Sequence, residues 1–238
     1  MARRSAAIVG VVFLAVFFLI LILLDVRVVT AARELPPTFI RLTGHFTDLG
    51  KAGFFLYPLA VLLIALCLVP AGLSRSARGT LAAVFARVAF MFLAVGIPYA
   101  INSALKQIFG RARPFVRDNL YTYDPFTWGS TYASLPSGHA VTACAVAVAI
   151  GALFPAIRIG AWTYAVLIVI SRVVVTAHHP SDVLAGGLIG TVGAVIVRNY
   201  FASRRVVFGV TPEGRVEPFA GPSWRRTKAA ARSVFSRA

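Results

Sequence analysis

Acidic residues are scarce in this sequence: eight Asp and Glu stand against 24 Lys and Arg in 238 residues. Asp182 is the only side-chain carboxylate between Asp124 and Glu213. So thin a supply excludes a carboxylate cage of the kind Mg²⁺ needs, and no metal or cofactor is expected. Cysteine is nearly absent. Cys67 and Cys144 both lie in apolar stretches, which suits packed small hydrophobes and excludes a disulfide framework. Charged residues make up 13% of the chain and hydrophobic ones 58%, with mean hydropathy +0.80, which excludes an ordinary soluble domain. The run AAIVGVVFLAVFFLILILL (6–24) holds no charge, and no small-x-small cleavage site follows at Leu24-Asp25-Val26. A retained anchor is therefore expected in place of a cleaved signal peptide.

What the sequence does have is apolar blocks. The first, 6–24, is long enough to cross a bilayer core of roughly 30 Å as a helix. Others cover 54–69, about 81–105, 140–157, 159–175 and 183–197. Several are short for a span, and bilayers accommodate short spans by thinning or by packing on longer neighbours. The expected fold class is all-α: a polytopic six-transmembrane-helix bundle. Gly186 and Gly190 have the small-xxx-small spacing that lets helices approach closely. Residues 1–203 would form the six-span domain, and 204–238 a basic cytoplasmic tail, solvated and partly disordered.

A net charge of +16 invites a nucleic-acid reading, but its distribution opposes one. With six spans and the N-terminus inside, Arg3, Arg4, Arg75, Arg78, Arg87, Arg158 and every cation from Arg198 onward share one side. That is the positive-inside pattern of a multi-pass cell (inner) membrane protein with both termini cytoplasmic. The bilayer is the expected partner, not nucleic acid.

The same topology brings two loops to the opposite, extracytoplasmic face, carrying "KQIFGRARPF" (106–115), "ASLPSGHAV" (133–141) and "SRVVVTAHHPSD" (171–182). Lys106, Arg111, Arg113, His139, Arg172, His178, His179 and Asp182 gather there. Arg111 and Arg113, each taken alone, read as juxtamembrane cations. Arg172 lies at the end of an otherwise uncharged span, where an ionisable group implies a partner or a function. "PSGH" reads as a helix start, with Ser137 as cap and Gly138 allowing close approach; free amides there attract an anion. Pro180 and Asp182 also suit a first helical turn. Asp182 could hold a histidine in one tautomer and leave its other nitrogen free to attack. Spacing alone leaves His178 and His179 both within reach, although Pro180 biases His179 toward an extended backbone. Clustered cations, helix-start amides and two histidines on separate loops suit metal-free phosphoryl transfer.

Lys106-x6-Arg113-Pro114, Pro136-Ser137-Gly138-His139 and Ser171-Arg172-x5-His178-x3-Asp182 resemble, in order and spacing, the three-part signature of the type-2 phosphatidic acid phosphatase family. The resemblance implies a phosphohistidine on His178, oriented by Asp182, with His139 as general acid. Lys106, Arg113, Ser137, Gly138 and Arg172 would bind the phosphate. It also implies a lipid phosphate substrate on the outer membrane face, with undecaprenyl diphosphate, phosphatidylglycerophosphate, phosphatidic acid and lipid A phosphates as candidates. The alternatives are a lipid-to-lipid phosphotransferase and a non-catalytic phosphate-lipid binder. In the outer loop, Phe39, Leu42, Phe46 and Leu49 recur at roughly helical spacing, which predicts an interfacial helix near the site.

Overall fold

Each apolar block forms a helix in the computed structural model, which describes residues 2–70, 72–117, 119 and 121–235. The side chains of residues 2–9 and 235, Arg3 and Arg4 among them, and residues 236–238 of the tail lie outside the described residues. The helices are α1 (Ala2–Leu23), α2 (Asp25–Arg33), α3 (Pro37–Thr47), α4 (Ala52–Cys67), α5 (Arg75–Phe109), α6 (Gly138–Leu153), α7 (Arg158–Val174), α8 (Pro180–Ser203) and α9 (Trp224–Phe235). A two-stranded antiparallel hairpin, β1 (Phe208–Val210) and β2 (Val216–Pro218), separates α8 from α9.

The centre of the bundle is α6. Ala140, Ala143, Ala145, Ala147 and Ala149 are all fully buried, because small side chains let α5, α7 and α8 pack closely around one helix. The glycine spacing on α8 serves the same end. A Cβ on Gly186 would lie 2.4 Å from the Ser137 carbonyl oxygen, and one on Gly190 2.2 Å from that of Val141. Around this centre the outward faces carry exposed apolar residues, among them Tyr57, Val61, Ile159 and Ile196. Such a surface suits hydrocarbon and not water. This is a membrane protein.

Among the described residues, four helical segments are long and apolar enough to cross a bilayer: 37–67, 75–109, 155–174 and 180–203. The α1–α2 pair, bent by 49°, makes a fifth if it counts as one span. The remaining apolar helix, α6, has 16 residues and falls short of a span by length. Six spans are thus not established, although all six apolar blocks are helical. The amphipathic pattern in the outer loop corresponds to α3, which leaves Phe39 and Leu42 exposed.

The tail departs from a solvated, partly disordered segment over its described length. Phe208 packs edge-on against Phe90 of α5, with ring centroids 4.8 Å apart, and anchors the hairpin in the core. Ala230 and Val234 of α9 pack on Leu73 and Ala77. A single apolar stripe suffices to dock an otherwise basic helix. Cys144 lies in the core and Cys67 is exposed on α4; both are free thiols.

Candidate active site

The site forms where α5 ends and α6 and α8 begin. Gly110 closes α5 in the left-handed region, φ 55°, and a Cβ there would fall 1.8 Å from the Asp124 carbonyl oxygen. The chain then turns back on itself. Arg111 bridges Tyr123, the Arg113 amide donates to Thr131, and the Ser134 amide donates to the Arg111 carbonyl at 3.0 Å. This folded loop delivers Ser134 and Ser137 to the start of α8, where the Ser137 amide donates to the Asp182 carbonyl at 3.0 Å.

His178 is buried, and its Nδ1 lies 2.8 Å from the Ser134 carbonyl oxygen. A carbonyl only accepts, so Nδ1 carries the proton and Nε2 keeps its lone pair. Burial disfavours the imidazolium and pulls the His178 pKa down to about 4. The ring is therefore neutral at ordinary pH and is held in the tautomer a nucleophile needs.

The expected contact between Asp182 and His178 is 3.8 Å long, beyond hydrogen-bond range. Asp182 instead accepts from the Ser134 hydroxyl at 2.6 Å and from the backbone amide and Nδ1 of His179 at 2.9 and 3.1 Å. Ser134 links the two, since its hydroxyl binds Asp182 and its carbonyl holds the ring. The cause is local. His179 caps α8 and shares its first turn with Asp182, whereas the His178 ring is taken by the Ser134 carbonyl.

Arg111 is not a juxtamembrane cation. Its side chain is fully buried between Asp182, at 2.7 Å, and Asp25 of α2, at 2.8 Å. Burial works against the charge, but Asp182, Tyr123 and Asp25 outweigh it and raise the pKa above the usual guanidinium value. Asp25 also accepts from the Ser181 hydroxyl and, at 2.9 Å, from the Ser181 amide. With both carboxylates committed to Arg111, little acidic donor capacity is left for a divalent cation.

The other expected residues gather around His178. Lys106 donates to the Ala133 carbonyl, and Arg113 to that of Ser130 at 2.8 Å. Arg172 donates to Thr47 Oγ1 at 3.0 Å, and Ser171 to the same oxygen at 2.8 Å. Lys106, Arg113 and Arg172 lie within electrostatic reach of one another, and His139 within reach of His178 and Arg172. Ser137 Oγ, Arg172 Nε and His139 Nε2 are buried with no partner among the described residues. Donors concentrated in this way suit an anion with several oxygens.

Sequence reasoning missed Asp25, Thr47, Asn102, Ser134 and Ser181. Asp25 carried a signal, since an acid directly after an apolar run is expensive in so acid-poor a chain. Asn102 sits one turn before Lys106, and both polar atoms of its side chain are buried without partners among the described residues. A Cβ on Gly138 would lie 3.4 Å from Asn102 Nδ2 and 3.8 Å from Lys106 Cε. The amide thus lies beside two of the expected phosphate-binding residues.

The chain is similar to known proteins. A family model described as PAP2 superfamily matches residues 87–205, half of the chain. The lipid A 1-phosphatase of Rhizobium johnstonii is 34% identical over 128 residues, 53% of this chain and 52% of that protein. The lipid A 1-phosphatase of Rhizobium etli is 33% identical over 128 residues, 53% and 55% of the two chains. The chain thus spans about half the length of the curated relatives it matches. Among solved structures, LpxE from Aquifex aeolicus aligns with TM-score 0.53 and 25% identity, over 74% of this chain and 96% of that one. A transmembrane PAP2 type phosphatidylglycerolphosphate phosphatase from Bacillus subtilis aligns with TM-score 0.58 and 23% identity, over 83% and 94%. That likeness extends to the fold.

Proposed function

The chain belongs to the PAP2 superfamily, and from that premise we propose that it is an integral-membrane lipid phosphatase working through a phosphohistidine. The observation that carries the reading is the pinned His178 ring, with Nδ1–H on the Ser134 carbonyl and Nε2 free. In the first step Nε2 attacks phosphorus, the N–P bond forms and the ester P–O bond breaks. His139, protonated in the complex by the negative charge of the bound phosphate, gives that proton to the departing oxygen. In the second step His139 takes a proton from water, the hydroxide attacks phosphorus, the N–P bond breaks and inorganic phosphate leaves. Lys106, Arg113, Arg172, Ser137 and the amide of Gly138 hold the three equatorial oxygens while charge redistributes.

The relatives named for lipid A 1-phosphate chemistry favour a lipid A type phosphate as substrate, with the other lipid phosphates as competitors. The charge distribution supports cytoplasmic termini and an extracytoplasmic site. Purified protein in detergent, supplied with lipid A, phosphatidylglycerophosphate, phosphatidic acid and undecaprenyl diphosphate, tests the reading. Release of inorganic phosphate from at least one, sustained in excess EDTA, is expected. Transfer of the phosphate to a second lipid without release would mark a phosphotransferase instead. No turnover of any of them would defeat both.

A further inference from the structure

A chamber lies at the far end of the bundle, between α6, the start of α7, α8 and the hairpin. It has a volume of about 580 Å³, and Arg158, Arg198 and Arg215 line it together with Glu217, Trp162 and Val195. It is remote from the candidate active site. Gly151 on its wall is 12 residues along α6 from His139, roughly 18 Å at the helical rise. The three guanidinium groups are weakly committed. Among the described residues Arg158 has no hydrogen bond or ion pair, Arg198 binds only its neighbour Asn199, and Arg215 stands 3.8 Å from Glu213.

A groove of about 400 Å³ shares Arg158 and Trp162 with this chamber and continues along α7 over Ile159, Val166 and Leu167. These three residues are apolar and exposed, Ile159 by 80%. A cationic chamber opening into a hydrocarbon groove matches one ligand class. We propose that this end of the bundle binds an anionic phospholipid, its phosphate among Arg158, Arg198 and Arg215 and an acyl chain along α7. Guanidinium forks suit phosphate oxygens, and an indole suits the boundary between headgroup and chain. Basic pockets between transmembrane helices take anionic headgroups in the same way. This site is independent of the proposed activity.

Trp162 reports on it directly. In a Trp128→Phe/Trp224→Phe protein it is the sole tryptophan. That protein is reconstituted in phosphatidylcholine vesicles containing a minor fraction of dibrominated phosphatidylglycerol or dibrominated phosphatidylcholine. Bromine on a bound chain quenches Trp162. The anionic lipid is expected to quench at a fraction at least tenfold lower than the zwitterionic one, a factor that two arginines near a headgroup, at roughly fivefold each, already supply. Arg158→Ala/Arg198→Ala should erase the preference, and Arg215→Ala, on the exposed hairpin, should reduce it. Arg75→Ala/Arg78→Ala, which removes the same charge elsewhere, should leave it intact. Soluble glycerol phosphate should not relieve the quenching. Equal quenching by the two lipids, a preference that survives the double arginine substitution, or displacement by glycerol phosphate would overturn the proposal.

Discussion

Arg111 shows how much a single residue can hold in place. It joins Asp25 on α2 to Asp182 on α8, partners 86 and 71 residues away in sequence. Removing one member of a buried ionic network leaves the others uncompensated, at a cost of about 3–5 kcal/mol. Arg111→Ala leaves two carboxylates so exposed to the interior, and a loss of that size is expected in unfolding titrations in mixed micelles. A variant as stable as the wild type would mean that the network is dispensable. Sequence gave no warning, because an arginine beside a span is indistinguishable from a topogenic one until Asp25 is brought to it. His178 makes the second residue-scale prediction. Burial opposes its charged form, so the ring stays neutral as pH falls and gains a proton only near 4. An unperturbed histidine would do so near 6.5. The lipid phosphate titrates near 6 and would blur a rate profile. The check is an NMR titration of ¹⁵N-histidine-labelled protein, with the signal assigned by its loss in His178→Gln. A midpoint near 4 is expected, and one at 6 or above would contradict the burial argument.

At the scale of elements, the α6–α8 contact couples packing to the site. Gly186 faces the carbonyl of Ser137, the residue that caps α6 and is proposed to hold the phosphate. Gly186→Ala therefore pushes the two helix starts apart, and activity should fall at least tenfold with the fold retained. Gly187→Ala is the control, since its Cβ would meet only Cys144 Sγ at an ordinary 3.5 Å. Equal activity in the two variants would show that the close approach does not matter for turnover. The glycine spacing was legible in sequence, as were the helix starts at Pro-Ser-Gly-His and His-His-Pro-Ser-Asp and the amphipathic α3. Each has a local signature. The hairpin and α9 were not, because Phe208 and Ala230 become meaningful only against Phe90 and Ala77. The direct Asp182–His178 bond was implied by the family resemblance, spacing alone leaving His179 equally within reach, and neither anticipates that a carbonyl from another loop takes the ring first.

At the scale of the whole molecule, charge and apolar surface set the orientation. The hairpin, the basic α9 and the start of α5 lie at one end, and the candidate site at the other. A phosphatase reporter that is active only outside the cytoplasm should be inactive when fused after Ala238 and active when inserted at Asn119. The reverse pattern would put the site inside and replace the expected substrate pool. The measurement closest to the central claim is capture of the covalent intermediate. Turnover of ³²P-labelled lipid phosphate is quenched rapidly under alkaline denaturing conditions, and the labelled peptide is mapped by mass spectrometry. An acid-labile phosphate on His178 is expected, retained in His179→Ala and absent in His178→Ala. Label on His179, or undiminished turnover by His178→Ala, would contradict it.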